Sequence, residues 1–178
     1  IPMSPEKLTE LARDCDGLLC MLNDPIDRDL LQNSQLKVIA NHAVGTDNVD
    51  LSAAEELHVV VTNTPGVLTE ATADLAMALL LATARRIVEA DAYLRAGLFE
   101  GWAPTMFVGA SLSGKTLGIV GAGRIGRAVA QRAEAFGMRI LARGSREGVP
   151  LEQILAESDF LSLHCPLTAK THHLIGAE

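Results

Sequence analysis

The sequence predicts an α/β fold in which parallel strands alternate with helices. Short apolar runs bounded by turn residues recur along the chain, and the segments between them carry apolar residues at helical spacing. The composition suits such a fold, because 48% of the residues are hydrophobic and 21% are charged, whereas only 3% are aromatic. We therefore expect an aliphatic core, in one ordinary domain or two small ones.

The N-terminal part of the chain predicts three β–α repeats. Ser4, Asp27 and Asp50 stand where helix N-caps are expected, because such side chains accept a hydrogen bond from the first helical turn. The predicted helices cover residues 5–13, 28–31 and 51–57, and the predicted strands cover residues 17–22, 36–40 and 59–62. Strands that alternate with helices at this spacing favour parallel pairing.

A long helix is predicted over residues 70–96, with Gly97 at its C-terminal end. The segment from Leu75 to Ala84 is apolar on nearly all sides, so we expect it to be buried on several sides. It is too short, and too closely flanked by charge, to span a membrane. Such a helix suits a connector between two α/β units, so the predicted domains are 1–97, which includes the helix, and 98–178.

A glycine-rich turn opens the second unit. Gly121, Gly123 and Gly126 form a G-x-G-x-x-G pattern between a predicted buried strand, 116–120, and a helix that ends at Gly137. This is the context that the dinucleotide-binding fingerprint requires. Gly121 permits a tight turn, Gly123 lets a pyrophosphate approach the backbone, and Gly126 lets the helix pack against the strand.

The start of the following helix adds positive charge to this turn. Its unpaired N–H groups and partial positive charge suit phosphate groups, and Arg124 adds a full charge beside Ile125. We therefore include Arg124 and Ile125 in the predicted cofactor site. A glycine-rich turn without a ligand is the alternative interpretation.

The end of the next predicted strand, 139–142, favours NADP(H) over NAD(H). An NAD site usually has Asp or Glu there, whereas this chain has Arg143, Ser145 and Arg146 and no acid before Glu147. A guanidinium fork can bind the 2′-phosphate of NADP(H) through two hydrogen bonds. A solvated loop is the alternative interpretation.

Charge and cysteine usage narrow the classes of partner and compartment. The net charge of −7 argues against nucleic acid or an acidic membrane surface as a partner. Cys15, Cys20 and Cys165 show neither zinc spacing nor an even disulfide framework, which suggests a reducing compartment such as the cytoplasm. We expect no metal site, because the pair His172–His173 has no third ligand spaced to join it. No signal peptide is recognisable.

Several segments together resemble the D-2-hydroxyacid dehydrogenases. The resemblance covers almost the whole chain and is carried by residues 36–50, 62–74, 115–126 and 158–168. Within that family, Gly101-Trp-Ala-Pro104 is most similar to glyoxylate/hydroxypyruvate reductases. The resemblance implies a flavodoxin-like α/β substrate domain and a Rossmann-type doubly wound parallel sheet, both incomplete in this chain.

The resemblance also implies roles for individual residues. The backbone N–H groups of Val44 and Gly45 would hold the substrate carboxylate, as successive amides in a turn can. An ordinary turn at a strand end is the alternative for this loop. The remaining implied roles are Thr72 near the nicotinamide, Pro166 in the adenosine pocket, Thr171 near the pyrophosphate, and Trp102 at a homodimer contact or in simple surface packing.

The implied activity is the NAD(P)-dependent reduction of a small 2-oxo acid, such as glyoxylate or hydroxypyruvate, to the D-2-hydroxy acid. The family's catalytic Arg, Glu and His lie beyond the end of this chain, so we assign no catalytic residue and expect the 178 residues alone to be inactive. Ala142-Arg143-Gly144 imitates the family's active-site motif in the wrong place. Alternatives are a phosphoglycerate or formate dehydrogenase, a dinucleotide-sensing regulatory protein, or a structural fragment.

Overall fold

The computed structural model describes residues 3–144 and 148–176. Within these ranges the chain forms helices α1 to α7 and strands β1 to β6. The helices are α1 Pro5–Ala12, α2 Arg28–Gln32, α3 Leu51–Glu56, α4 Thr69–Ala84, α5 Ile87–Arg95, α6 Arg124–Ala135 and α7 Leu151–Glu157. The strands are β1 Gly17–Cys20, β2 Val38–Asn41, β3 Val60–Thr62, β4 Thr116–Val120, β5 Arg139–Arg143 and β6 Phe160–Leu163.

The chain divides into two compact units, one formed by residues up to Val67 together with those from Pro166 onward, the other by Leu68–Cys165. The predicted α/β class is confirmed in both, because each holds a three-stranded sheet whose pairs are all parallel. The interdomain helix that was assigned with residues 1–97 lies in the second compact unit. The functional division at residue 97 stays a prediction.

In the first unit the strand order is β1-β2-β3, with Leu18, Ile39 and Val61 in register. One face of this sheet is packed, since Cys20 and Ile39 are at most 1% exposed. Alternate residues of a strand point to opposite faces. The other face accordingly carries exposed apolar side chains: Leu19, Val38 and Val60.

The three predicted N-caps of the first unit are confirmed. The Ser4 hydroxyl accepts from the N–H of Lys7, and Asp27 and Asp50 accept from the third residue beyond each of them. These bonds satisfy N–H groups that have no partner inside the helix. The helices therefore begin at the residues that the sequence indicated.

In the second unit the strand order is β5-β4-β6, with every residue of β4 buried. The next strand in sequence after β4 lies on one side of it and the following strand lies on the other. The carboxyl end of β4 is therefore a topological switch point, which is where ligands bind in open parallel sheets. The helix α6 packs against β4 and α4, and Gly137 ends it with a φ of 74°.

The predicted helix over 70–96 is instead two helices, α4 and α5. Arg86 adopts a left-handed conformation, with a φ of 55°, which a continuous right-handed helix does not allow. The loop N–H of Ala110 bonds the carbonyl of Ala84 at 2.8 Å, at the end of α4. The Arg86 guanidinium also lies over the ring of Phe107, 5.4 Å from its centroid. These two contacts from the loop stabilise the left-handed conformation of Arg86 that separates α4 from α5.

The expectation that the apolar middle of this helix is buried on several sides is wrong for the described structure. Met77 is packed in the core, whereas Leu75 and Leu79 are about 60% exposed. Helix α4 therefore buries one side only, against α6. None of the described helices is both long enough and apolar enough to cross a membrane.

Candidate cofactor and substrate sites

The predicted glycine turn lies at the carboxyl end of β4. Gly121 has a φ of 104°, a conformation that favours glycine, and a Cβ there would collide with the backbone of His164 and Cys165. The N–H groups of Gly121 and Ala122 both donate to the carbonyl of Arg143, at 2.8 and 2.9 Å. The turn is thus tied to the ends of both neighbouring strands.

The other two glycines differ in what surrounds them. A Cβ at Gly126 would collide with the carbonyl of Gly121 and would lie 3.1 Å from the side chain of Ile119 in β4, so the predicted close packing of the helix against the strand is confirmed. A Cβ at Gly123 would meet no heavy atom within 4 Å, and the φ of Gly123 is −80°, a value that other residues adopt as well. Folding alone gives no reason for glycine at position 123, whereas a group bound against the backbone there does.

The start of α6 fits a phosphate group. Gly123 is the N-cap and supplies no capping side chain, so the first N–H groups of α6, from Arg124 and Ile125, have no side-chain partner. Arg124 is exposed beside them. Together with the open space at Gly123, these groups fit the pyrophosphate of a dinucleotide.

The predicted 2′-phosphate site is described only in part. Arg143 is the last residue of β5 and is exposed, while its carbonyl holds the glycine turn. Gly148 forms a bridge back to Arg143, with a φ of 127°, so the connection after β5 is short. Ser145 and Arg146 lie outside the described residues.

The end of β6 lies beside the turn, because the N–H of His164 bonds the carbonyl of Val120 at 2.7 Å. The imidazole of His164 lies 2.8 Å from the Ser162 hydroxyl, and burial lowers the pKa of His164 below its ordinary value. Both residues line an apolar groove of about 470 Å³, together with Thr72 from α4. Thr72, Ser162 and His164 thus share one groove in this unit.

The two predicted cofactor residues near the end of the chain form one small turn. The Thr171 hydroxyl lies 2.6 Å from the carbonyl of Pro166, to which it donates, and accepts from the N–H of Thr168 at 2.8 Å. Thr171 therefore shapes this loop. Its contact with a pyrophosphate, and that of Pro166 with an adenosine, stay predictions.

The predicted substrate turn follows β2 and has an unusual hydrogen-bond pattern. The N–H groups of Val44 and Gly45 donate no hydrogen bond within ranges 3–144 and 148–176, and Val44 is 39% exposed. Adjacent unpaired N–H groups can bind an anion. The Asp47 carboxylate lies 2.8 Å from where a Cβ of Gly45 would be, so only glycine fits without moving it.

Sequence reasoning missed two residues that anchor this turn, Asn41 and Asn63. Asn41 is the last residue of β2 and is 1% exposed, although the predicted strand ended one residue earlier, at Ala40. A polar residue directly after Val38-Ile39-Ala40 was the available signal. Asn63 gave no local signal, because its contact, the carbonyl of Val44, is 19 residues away in sequence.

A glycine turn at the switch point of a parallel sheet, leading into a helix without a side-chain cap, defines a dinucleotide-binding α/β protein. In the described ranges, no three His, Cys, Asp or Glu side chains come together in a way that could hold a metal ion.

Comparison with known proteins gives the family. A family profile described as D-isomer specific 2-hydroxyacid dehydrogenase, NAD binding domain, matches residues 77–178. A glyoxylate reductase from Korarchaeum cryptofilum is 51% identical over 190 residues, covering 99% of this chain and 57% of that protein. The crystal structure of the TT0316 protein from Thermus thermophilus matches with a TM-score of 0.90 at 49% identity, covering 98% of this chain and 58% of that one.

A further solved structure is an acyclic imino acid reductase (Bsp5) in complex with NADPH and D-Arg. It matches with a TM-score of 0.85 at 27% identity, over 95% of this chain and 57% of that one. The chain belongs to the D-isomer specific 2-hydroxyacid dehydrogenase family, as the sequence motifs indicated. It spans little more than half the length of these relatives, 57% in the case of the Korarchaeum cryptofilum protein.

Proposed function

We propose that this chain is part of an enzyme that reduces a small 2-oxo acid, such as glyoxylate or hydroxypyruvate, to the D-2-hydroxy acid with a nicotinamide dinucleotide. The observation that carries the proposal is the presence in one chain of two turns that suit anions: the glycine turn with open space at Gly123, and the turn at Val44 and Gly45, whose N–H groups donate no hydrogen bond within residues 3–144 and 148–176. Its 51% identity to a glyoxylate reductase supports this substrate class.

Each turn contributes to the reaction by binding and orienting. The cofactor, when bound, supplies the hydride that reduces the carbonyl carbon. The glycine turn and the start of α6 hold its phosphates, and Thr72 is proposed to lie near the nicotinamide. The N–H groups of Val44 and Gly45 hold the substrate carboxylate. Fixing both reactants in this way lowers the entropic part of the activation barrier.

We further propose that NADP(H) is preferred over NAD(H). Arg143 ends β5, where the adenosine ribose lies in folds of this type, and Arg146 follows three residues later. Two guanidinium groups suit a 2′-phosphate. No Asp or Glu lies between the start of β5 and Glu147 to bind a free 2′-hydroxyl. Pro166 and Thr171 are proposed to line the same cofactor.

We also propose that the chain forms a homodimer in the cytoplasm. Leu98, Phe99 and Trp102 are all more than half exposed, with Trp102 at 80%, and such apolar patches mark interaction surfaces. Three free cysteines suit a reducing compartment. Sedimentation of the wild type against Trp102→Ala tests the dimer, which the variant should weaken.

A substrate panel tests the proposed reaction. The product of the complete reading frame is assayed for NADPH oxidation with glyoxylate, hydroxypyruvate and phosphohydroxypyruvate, and for NAD reduction with formate. Turnover of the first two supports the proposal, and a preference for either of the last two favours the family alternatives. Tight NADPH binding with no turnover of any substrate would instead favour a dinucleotide-sensing regulator.

A further inference from the structure

Three successive carbonyl groups of the substrate turn are fixed by hydrogen bonds. Ala43 O accepts from the N–H of Thr64 at 2.9 Å. Val44 O accepts from the side-chain amide of Asn63 at 2.9 Å, and Gly45 O accepts from that of Asn41 at 2.8 Å. Three successive carbonyls are therefore held from outside the turn.

Fixing a carbonyl also fixes the N–H of the same peptide group. A trans peptide is planar, and its N–H points opposite to its C=O. The bond from Asn63 to the Val44 carbonyl therefore sets the direction of the Gly45 N–H. The bond from Thr64 to the Ala43 carbonyl does the same for the Val44 N–H, and Asn41 fixes the far end of the turn through Gly45.

Asn41 is itself held rigidly. Its side-chain amide forms a reciprocal pair with that of Asn48, at 3.1 and 3.3 Å, and its oxygen also accepts from the Cys20 thiol. Asn48 in turn donates to the carbonyls of Met21 and Asp24. Asn41 and Cys20 are buried and Asn48 is half-buried, and a network whose members are paired in this way is stiff, so it transmits the position of β1 and β2 to the turn.

We propose that Asn63 and Asn41 are positioning residues for the substrate carboxylate: Asn63 aims the N–H of Gly45, and Asn41 holds the next peptide group of the turn in place. This inference rests on the proposed function, because it assumes that the turn binds a carboxylate. The side chains of Asn41 and Asn63 bond carbonyl groups of the turn and do not contact the substrate in this proposal. Asn63 acts by holding the Val44 carbonyl, which directs the N–H of Gly45, and Asn41 acts by holding the Gly45 carbonyl, which keeps the turn in a conformation pre-organised for the anion.

The test measures anion binding directly. Oxamate, an unreactive analogue of a 2-oxo acid, is titrated into the ¹⁵N-labelled full chain at constant ionic strength, and the amide signals of Val44 and Gly45 are followed. The variants are Asn63→Ala and Asn41→Ala, and Asn63→Gln is included because it keeps a donor. The matched control is Asn33→Ala, which loses a similar bond from an exposed side-chain amide to the Asp29 carbonyl.

We expect Asn63→Ala and Asn41→Ala to raise the Kd for oxamate about three- to tenfold, the loss of one or two hydrogen bonds. Asn63→Gln should recover part of the affinity, and Asn33→Ala should bind as the wild type does. Asn63 is exposed, so its variants should keep the wild-type unfolding temperature even if the buried Asn41→Ala does not fold.

Two outcomes would contradict the inference, and they differ in what else they overturn. If Asn63→Ala binds oxamate as tightly as the wild type, the positioning role is wrong and the proposed carboxylate site stands. If oxamate moves neither the Val44 nor the Gly45 signal in the wild type, both the proposed carboxylate site and the positioning role are wrong.

Discussion

The side chain of Asp159 holds the start of β4, the central strand of the second unit's sheet. One carboxylate oxygen pairs with the Lys115 ammonium at 2.7 Å, and the other accepts from the N–H of Thr116 at 2.8 Å. The pKa of Asp159 lies below its ordinary value of 3.8. The largest cause is the hydrogen bond from Lys115, and the next is the hydrogen bond from the N–H of Thr116. The start of β4 is therefore fastened by an ionised carboxylate.

This lowered pKa predicts an acid-sensitive contribution to stability. Because the folded-state pKa lies below the unfolded one, the contribution is complete above about pH 5 and is lost as the pH falls through the folded-state value. Chemical denaturation at several pH values should show that Asp159→Asn is less acid-sensitive than the wild type. The exposed Asp14→Asn serves as control, and equal pH slopes for all three proteins would contradict the role of Asp159.

The arginines at the end of β5 carry the proposed cofactor preference. Replacing Arg143 and Arg146 together with Ala should raise the Kd for NADPH at least about tenfold, because charge-assisted hydrogen bonds to the 2′-phosphate are lost. The Kd for NADH should stay nearly unchanged. Cofactor fluorescence titration measures both constants, and equal losses for the two cofactors would refute the phosphate contact.

At the scale of elements, β2 shows that the two faces of the first sheet differ. Ile39 is fully buried in the core beneath α1 to α3, whereas its neighbour Val38 is 39% exposed on the opposite face. Alternation along a strand therefore divides the residues that build the core from those that face outward.

This difference predicts unequal costs for two truncations in the same strand. Ile39→Ala should lower the free energy of unfolding by about 2–5 kcal/mol, since it leaves a cavity in a packed core. Val38→Ala, the matched control on the exposed face, should cost about 1 kcal/mol or less. Urea denaturation measures both values, and similar losses would show that the register of β2 is wrong.

Local signals predicted the elements well where the cause is local. The caps Ser4, Asp27 and Asp50 act within one helical turn, and Gly137 acts at one helix end, so sequence alone located them. The break at Arg86 was missed, because it depends on Phe107 and on the loop that follows it, which lie well beyond α5 in the chain and are brought there by tertiary folding.

The same distinction between local and tertiary causes applies to the two candidate sites, the glycine turn and the substrate turn. The glycine spacing from Gly121 to Gly126 is a local pattern, and the structure gives Gly121 and Gly126 a steric reason, whereas a Cβ at Gly123 would meet no heavy atom within 4 Å. The anchoring of the substrate turn is not local, since Asn63 and Thr64 reach it from the end of β3. A polar residue at the end of an apolar strand, Asn41, was visible in the sequence, but its hydrogen bonds to Gly45 and Asn48 were not.

At the scale of the whole molecule, we propose that the chain binds a nicotinamide dinucleotide at its glycine turn. Gly123 separates cofactor binding from folding, because a Cβ there would meet no heavy atom within 4 Å and its φ of −80° is one that other residues adopt. Gly126 offers the contrast, since a Cβ there collides with the Gly121 carbonyl and disturbs the fold itself.

The most direct measurement is therefore a fluorescence titration of NADPH into the wild type and Gly123→Val, with the unfolding temperature of each. The control is Ala135→Val, which adds similar bulk at the exposed far end of α6. We expect saturable binding to the wild type and the control, and affinity at least about tenfold weaker for Gly123→Val at an unchanged unfolding temperature. Wild-type affinity in Gly123→Val would contradict this proposal.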